Sequence, residues 1–191
     1  MRLPYLALYR LASYSATPFM PLWLKYRIRK GKEDALRFRE KLGETAMQRP
    51  SGKLVWVHAA SVGESLSVLP LLCKLQEQAP DAGFLVTTVT RTSATLLEKK
   101  LPDGIIHQYA PIDTPKAMKK FLKQWQPSLA LFVESEIWPN MITLTHKTGC
   151  EIRLLNARMS QRSQRRWKKI PNAIIHLLDC FTAIYPQNQR S

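Results

Sequence analysis

After residue 53 the chain repeats one pattern: a short apolar run, a polar turn, then a stretch with helical spacing. The apolar runs Leu54–His58, Phe84–Thr88, Ile105–Tyr109, Leu129–Val133, Ile152–Leu155 and Phe181–Tyr185 read as buried strands. Between them, Glu64–Gln78, Ser93–Lys100, Pro115–Gln124 and Pro139–Lys147 carry helical patterns. Strands that alternate with helices make βαβ units, and so an α/β, Rossmann-like parallel sheet with right-handed crossovers. Ahead of it, Gly31-Lys32-Glu33 breaks a first helix. A second is predicted over Asp34–Leu42, with acids at its start and Gly43 as its stop.

The polar residues with chemistry gather after the strands. They are Ala59–Ser65 after the first, Thr87–Ser93 after the second, Pro111-Ile112-Asp113 after the third, Glu134–Asn140 after the fourth and Asn156–Ser160 after the fifth. In open α/β sheets that edge is where ligands bind. One Ser- or Thr-lined helix start is only a cap, but several on one edge describe a cleft. The segment Glu134-Ser135-Glu136-Ile137-Trp138-Pro139-Asn140 places two carboxylates and a Trp there and points to a polar ligand. Glu134 and Glu136 read either as a paired-carboxylate site or as clamps for Arg91 or Arg158. Ser61-Val62-Gly63-Glu64 fits a capping box, which leaves room for an anion or a sugar hydroxyl at the same helix start. No phosphate-binding GxxxxGK[ST] or GxGxxG motif is present. Glu33, near Lys30, Lys32 and Arg37, is either a surface acid or a general base, and the base role requires burial or a hydrogen-bonding partner. His58 reads as a polar anchor of the first strand, and His107, His146 and His176 form no metal pattern.

The formal charge of +15 is unevenly distributed. Residues 1–32 and 152–178 contain no acid and supply 14 of the 15 excess positive charges. Two such segments around a near-neutral body suit an anionic partner such as phospholipid headgroups. They carry no stacking aromatic pattern apart from Trp167, which argues against a specific nucleic acid. Leu3–Leu24 is apolar and aromatic, but its longest uncharged stretch is 14 residues, too short to span a bilayer and interrupted by Pro18 and Pro21. Followed by Lys25, Arg27, Arg29 and Lys30, it reads as a segment lying in an anionic membrane interface or as a helix packed on the following domain. Cys73, Cys150 and Cys180 show no CxxC or zinc spacing and read as buried, reduced thiols.

Six ordered stretches together resemble the 3-deoxy-D-manno-octulosonic acid (Kdo) transferase family: GKE at 31–33, WVHAASVGE at 56–64, TTVTRTSA at 87–94, YAPIDTP at 109–115, ESEIWPN at 134–140 and NARMSQRS at 156–163. The resemblance covers the amino-terminal half of that family. It implies a membrane-interfacial helix over 1–30 and, over 31–191, the acceptor-binding domain of a GT-B glycosyltransferase. The activity implied is inverting transfer of Kdo from CMP-Kdo to a lipid A precursor, at the cytoplasmic face of the inner membrane of a Gram-negative bacterium. Glu33 matches the family's general base. Ser61, Gly63, Glu64, Thr90, Arg91, Glu134, Glu136 and Arg158 would line the acceptor side. Arg91 and Arg158 would meet acceptor phosphate or the donor carboxylate. No cofactor or metal is implied, and CMP-Kdo would be held mainly by a carboxy-terminal domain that this chain lacks. A non-catalytic, membrane-bound lipid-binding remnant of the same fold is the alternative.

Overall fold

The computed structural model describes residues 4–134 and 136–188. Arg2 and Leu3 of the leading segment, Ser135 of the loop after the fourth strand, and Gln189, Arg190 and Ser191 lie outside the described residues.

Six parallel strands form one sheet in the order β3-β2-β1-β4-β5-β6. They are β1 (Leu54–His58), β2 (Gly83–Thr88), β3 (Ile105–Tyr109), β4 (Leu129–Val133), β5 (Glu151–Ala157) and β6 (Ala183–Pro186). The order reverses between β1 and β4, where His58 stands beside Phe132. That switch point opens a crevice at the carboxyl ends of the two strands.

Strand alternation sends successive side chains to opposite faces and so to two cores. Trp56, Leu85, Phe132 and Ile152 pack on one side, and Val57, Val86, Leu131 and Val133 on the other. The first core is closed by α5 (Pro115–Trp125), where Met118, Phe121, Leu122 and Trp125 recur at helical spacing and are all buried. Trp56 sits at its centre, 4.8 Å from the Phe121 ring and 5.3 Å from Phe132. The other helices between strands are α3 (Val62–Gln78), α4 (Arg91–Lys100) and α6 (Pro139–Lys147), followed by α7 (Gln161–Trp167) and α8 (Pro171–Leu178).

The amino-terminal segment folds as α1 (Pro4–Ala16) and α2 (Met20–Arg29), joined by a 3-10 turn. One face of α1 docks on the sheet domain. The Tyr9 hydroxyl donates to Asp113 Oδ2 at 2.8 Å, Arg10 Nη2 donates to Thr143 Oγ1 at 3.3 Å, and Asn140 Nδ2 donates to Ser13 Oγ at 3.0 Å. The other face is bare: Leu8, Leu11, Phe19 and Leu22 are 63–66% exposed. Among the described residues no helix is long and apolar enough to cross a membrane.

The second predicted helix is not α-helical. Asp34 Oδ1 accepts from the backbone N–H groups of Leu36 and Arg37 and closes a tight turn. A 3-10 turn over Phe38–Leu42 follows. The Arg37 guanidinium pulls this segment onto the sheet edge, donating to Glu40, to Glu98 and to the carbonyl of His107. Gly43 ends it in the left-handed region at φ 77°, and a Cβ there would lie 2.1 Å from the carbonyl oxygen of Ala117. Only glycine lets the segment approach α5 so closely.

Candidate functional site

Helix α2 ends in a Schellman motif. Gly31 takes φ 68°, its N–H bonds the Ile28 carbonyl at 2.9 Å, and the Lys32 N–H bonds the Arg27 carbonyl at 3.0 Å. The reversal turns Glu33 back beneath its own helix. There it is 4% exposed. Arg27 Nε donates to Glu33 Oε1 at 2.6 Å, and Lys41 Nζ lies 2.5 Å from Oε2. That second contact is an ion pair without hydrogen-bond alignment, so Oε2 has no hydrogen-bond donor. Lys41 is held by its own bond to the Val89 carbonyl at 2.9 Å. The partners of Glu33 are Arg27 and Lys41 and not its sequence neighbours Lys30 and Lys32, because the irregular segment 34–42 carries Lys41 back across the turn.

The two charged pairs form one wall of a cavity of about 250 Å³. Val89, Ala110, Pro111 and Ile112 from the loops after β2 and β3 form another. His58 lies within, and Trp23 and Trp138 stand at the mouth, 44% and 38% exposed. A broader, more open depression of about 410 Å³ over Leu36–Met47 holds no buried uncompensated group.

Asp113 braces the cavity floor. Its Oδ1 accepts from the Met141 N–H at 2.7 Å, and its Oδ2 from the Asn140 N–H at 3.2 Å and from Tyr9. It thereby caps α6 and fastens α1 with one carboxylate. Burial pushes its carboxyl above the ordinary value, and the bonds from Tyr9, Asn140 and Met141 oppose that rise. Glu136 shows the opposite balance. Burial would raise it, but the His58 ring and the Trp138 indole N–H outweigh burial and hold it below the usual carboxylate range. His58 Nε2 stands 3.7 Å from Glu136 Oε2, an electrostatic contact too long for a hydrogen bond.

The remaining sequence-predicted residues lie along the same edge but outside the cavity wall. Ser61 and Glu64 close the capping box on α3: Ser61 Oγ accepts from the Glu64 N–H, and Glu64 Oε2 accepts from the Ala60 N–H at 2.7 Å. Gly63 follows in the first turn, with open space beside its Cα. Thr90 caps α4 by accepting from the Ser93 N–H at 3.1 Å. Arg91 donates to the Gly31 carbonyl at 2.7 Å and faces a separate shallow depression with Thr92, Thr95 and Lys99. Arg158 clasps Glu134 at 2.8 Å, one of the two clamps expected for that acid. Glu134 and Asn156 hold φ 60° and 53°, a conformation uncommon for residues other than glycine, which marks these loops as constrained. Arg27, Lys41 and Asp113 were not among the site residues expected from the sequence. Lys41 carries no motif of its own, and Asp113 stood among the polar residues after the third strand without an assigned role. Among the described residues no group of three His, Cys, Asp or Glu could hold a metal ion.

Comparison with known proteins agrees with the motifs. The family model described as 3-deoxy-D-manno-octulosonic-acid transferase (kdotransferase) matches residues 36–191. A probable mitochondrial 3-deoxy-D-manno-octulosonic acid transferase of Arabidopsis thaliana is 36% identical over 181 residues, 94% of this chain and 40% of that protein. The 3-deoxy-D-manno-octulosonic acid transferase of Rickettsia bellii is 37% identical over 183 residues, 96% of this chain and 44% of the relative. That of Haemophilus influenzae is 33% identical over 141 residues, 70% of this chain and 33% of the relative. The chain thus spans about two fifths of the length of the first two relatives. The family model begins after Glu33. Among solved structures, a UDP-N-acetylglucosamine 2-epimerase superposes with a TM-score of 0.50 at 11% identity, covering 75% of this chain and 42% of that one; this likeness concerns the fold alone.

Proposed function

The chain belongs to the 3-deoxy-D-manno-octulosonic acid (Kdo) transferase family, and we propose that it forms the acceptor side of an inverting glycosyltransferase that moves Kdo from CMP-Kdo to a phosphorylated lipid A precursor. The observation that carries this reading is Glu33: a buried carboxylate in a cavity at the switch-point edge, held in place by Arg27 on one oxygen and by the Lys41 ion pair on the other. Burial and fixed partners hold a carboxylate in position, and a general base must be positioned within hydrogen-bond reach of the proton it takes. In the proposed reaction a glucosamine hydroxyl gives its proton to Glu33. Its oxygen bonds to the anomeric carbon of Kdo, and CMP leaves with the electron pair of the broken bond. A single displacement of this kind inverts the anomeric centre.

CMP-Kdo would be held mainly by a second domain. Arg91 and Arg158 lie at the same edge and are the candidates for acceptor phosphate or donor carboxylate, as guanidinium groups suit both. The bare face of α1 and α2 would lie in the membrane interface, with Lys25, Arg29 and Lys30 toward anionic headgroups; the reaction would then run at the cytoplasmic face of the inner membrane.

The test is Kdo transfer from CMP-Kdo to a phosphorylated lipid A precursor, assayed with this chain alone and mixed with a separately made donor domain of the family. Product on mixing, and none from the chain alone, is the expected result. Lipid binding without product in either arm would instead identify a lipid-binding module.

A further inference from the structure

The basic run after β5 is only partly neutralised. Arg153 pairs with Glu151 and Arg158 with Glu134. Among the described residues no acid pairs with Arg162, Arg165, Arg166, Lys168 or Lys169. Counted from Arg162, the residues Arg165, Arg166 and Lys169 stand three, four and seven positions on, the spacing that puts side chains on one face of a helix. Helix α7 spans Gln161–Trp167, and the coil continues to Lys169, whose N–H bonds the Arg166 carbonyl at 3.2 Å. These four side chains are exposed and line one open depression. Trp167 lies on the opposite face and packs against the core, so α7 cannot turn its cations inward. Like charges at this spacing destabilise a helix, so the stripe does not serve to build it.

The stripe lies on the same side of the sheet as the leading helices. Leu6 of α1 and Trp167 of α7 pack against one core cluster. Between them α1 touches α6, α6 touches α8 and α8 touches α7. The outer surface on that side therefore runs from Leu8 and Leu11 on α1, past the exposed Ile175 on α8, to the cations of α7. An apolar strip flanked by unpaired cations matches the interface of an anionic bilayer, where hydrocarbon lies beneath negative headgroups. A nucleic acid fits less well. Trp167 is the only Phe, Tyr or Trp between residues 152 and 178, and its ring is packed on the core, so none is left to stack on bases.

We propose that α7 is a second membrane contact, its cationic stripe seated on anionic phospholipid headgroups beside the bare face of α1 and α2. This rests on the interfacial placement of α1 and α2 proposed above, and not on the transfer chemistry. One contact lets a bound domain pivot; two contacts on one folded domain each raise the effective concentration of the other. Together they fix how the switch-point crevice faces the bilayer, because β5 leads into α7 from that edge of the sheet.

The experiment measures binding of the whole chain to vesicles of phosphatidylglycerol and phosphatidylethanolamine, with phosphatidylcholine vesicles as the comparison without net charge. In one variant Arg162→Gln, Arg165→Gln and Arg166→Gln remove three cations of the stripe. In a second, Lys53→Gln, Lys74→Gln and Lys100→Gln remove three exposed cations from the amino edge of the sheet and from α3 and α4 on its other side. Each headgroup contact is worth about fivefold, so the α7 variant should bind the anionic vesicles about 10²-fold more weakly, with little change in the second variant. Equal loss in both variants shows that net charge alone counts and overturns the inference. Unchanged binding of the folded α7 variant also overturns it, and either result leaves the interfacial reading of α1 and α2 standing. Failure of the unsubstituted chain to bind anionic vesicles overturns both. A DNA duplex bound more weakly by the α7 variant, with vesicle binding unchanged, overturns the inference and assigns the stripe to nucleic acid. Amide exchange of the unsubstituted chain, with and without anionic vesicles, needs no variant. Slowed exchange over residues 161–169 supports the proposal, and protection confined to residues 4–29 overturns it.

Discussion

Lys41 Nζ lies 2.5 Å from Glu33 Oε2, with both side chains almost out of water. Neither charge has a solvated alternative, so each depends on the other and on Arg27. Lys41→Met leaves a buried carboxylate with one cation, and Glu33→Gln leaves a buried ammonium with none. Each single change is expected to cost about 3 kcal/mol or more, the range for breaking a buried pair. The double variant should recover part of that loss, because it leaves no uncompensated charge. Denaturant melts of the four proteins measure the coupling, which should exceed about 1 kcal/mol. Additive losses would show that the two charges do not support each other.

The contact between Tyr9 and Asp113 fastens the leading helix. Tyr9→Phe removes one donor and should cost about 1 kcal/mol, with faster amide exchange across Pro4–Ala16 and little change in the strands. Asp113→Ala removes the acceptor of three donors and should cost about 2–3 kcal/mol, with α6 loosened as well. Equal losses from the two variants would contradict the double role of this carboxylate.

His107 introduces a pH dependence of stability. Burial, and then the nearby Arg37 guanidinium, push it down to about 4 from its ordinary 6.5. The folded state thus refuses a proton that the unfolded chain accepts. The stabilisation is complete above pH 6.5 and is lost as pH falls toward 4, about 3 kcal/mol in all. His107→Gln should flatten the melting temperature across that window. A wild-type profile that is flat from pH 7 to 4 would be inconsistent with a buried, uncharged ring.

The thiols divide two to one. Cys150 and Cys180 are buried, and burial pushes the Cys150 thiol up to about 12, but Cys73 is exposed on α3, contrary to the expectation of three buried thiols. A thiol reagent under native conditions should label one cysteine quickly and the other two only on unfolding. Rapid labelling of all three would contradict the packing of β5 and α8.

The sheet was legible in the sequence because its central strands β1, β2 and β4 are buried on both faces and read as apolar runs; β1, β3 and β4 fall where the runs place them. The short helix α7 was hidden under the basic run, since Arg at helical spacing looks the same as a solvated coil, and α8, with eight residues, was too short to show a clear period. Asp34–Leu42 was misread because local side-chain bonds from Asp34 and the clamp of Arg37 onto the neighbouring strand override helix propensity. Of the site, Glu33 was visible as a motif residue, but its partners were not. Arg27 meets it through a chain reversal and Lys41 through an irregular segment, contacts that periodicity does not encode. The hydroxyl link from Trp56 through Thr87 to His58 joins two strands far apart in sequence, and only pairing of β1 with β2 brings it together.

The central claim is that Glu33 takes the proton of the attacking hydroxyl. The most direct test is Glu33→Gln in the reconstituted transfer assay, with kcat and KM measured separately and folding checked by the melting curve. The account predicts a fall in kcat of about 10²–10⁴-fold with KM little changed. A folded Glu33→Gln protein that transfers Kdo at the rate of the unsubstituted chain would contradict it.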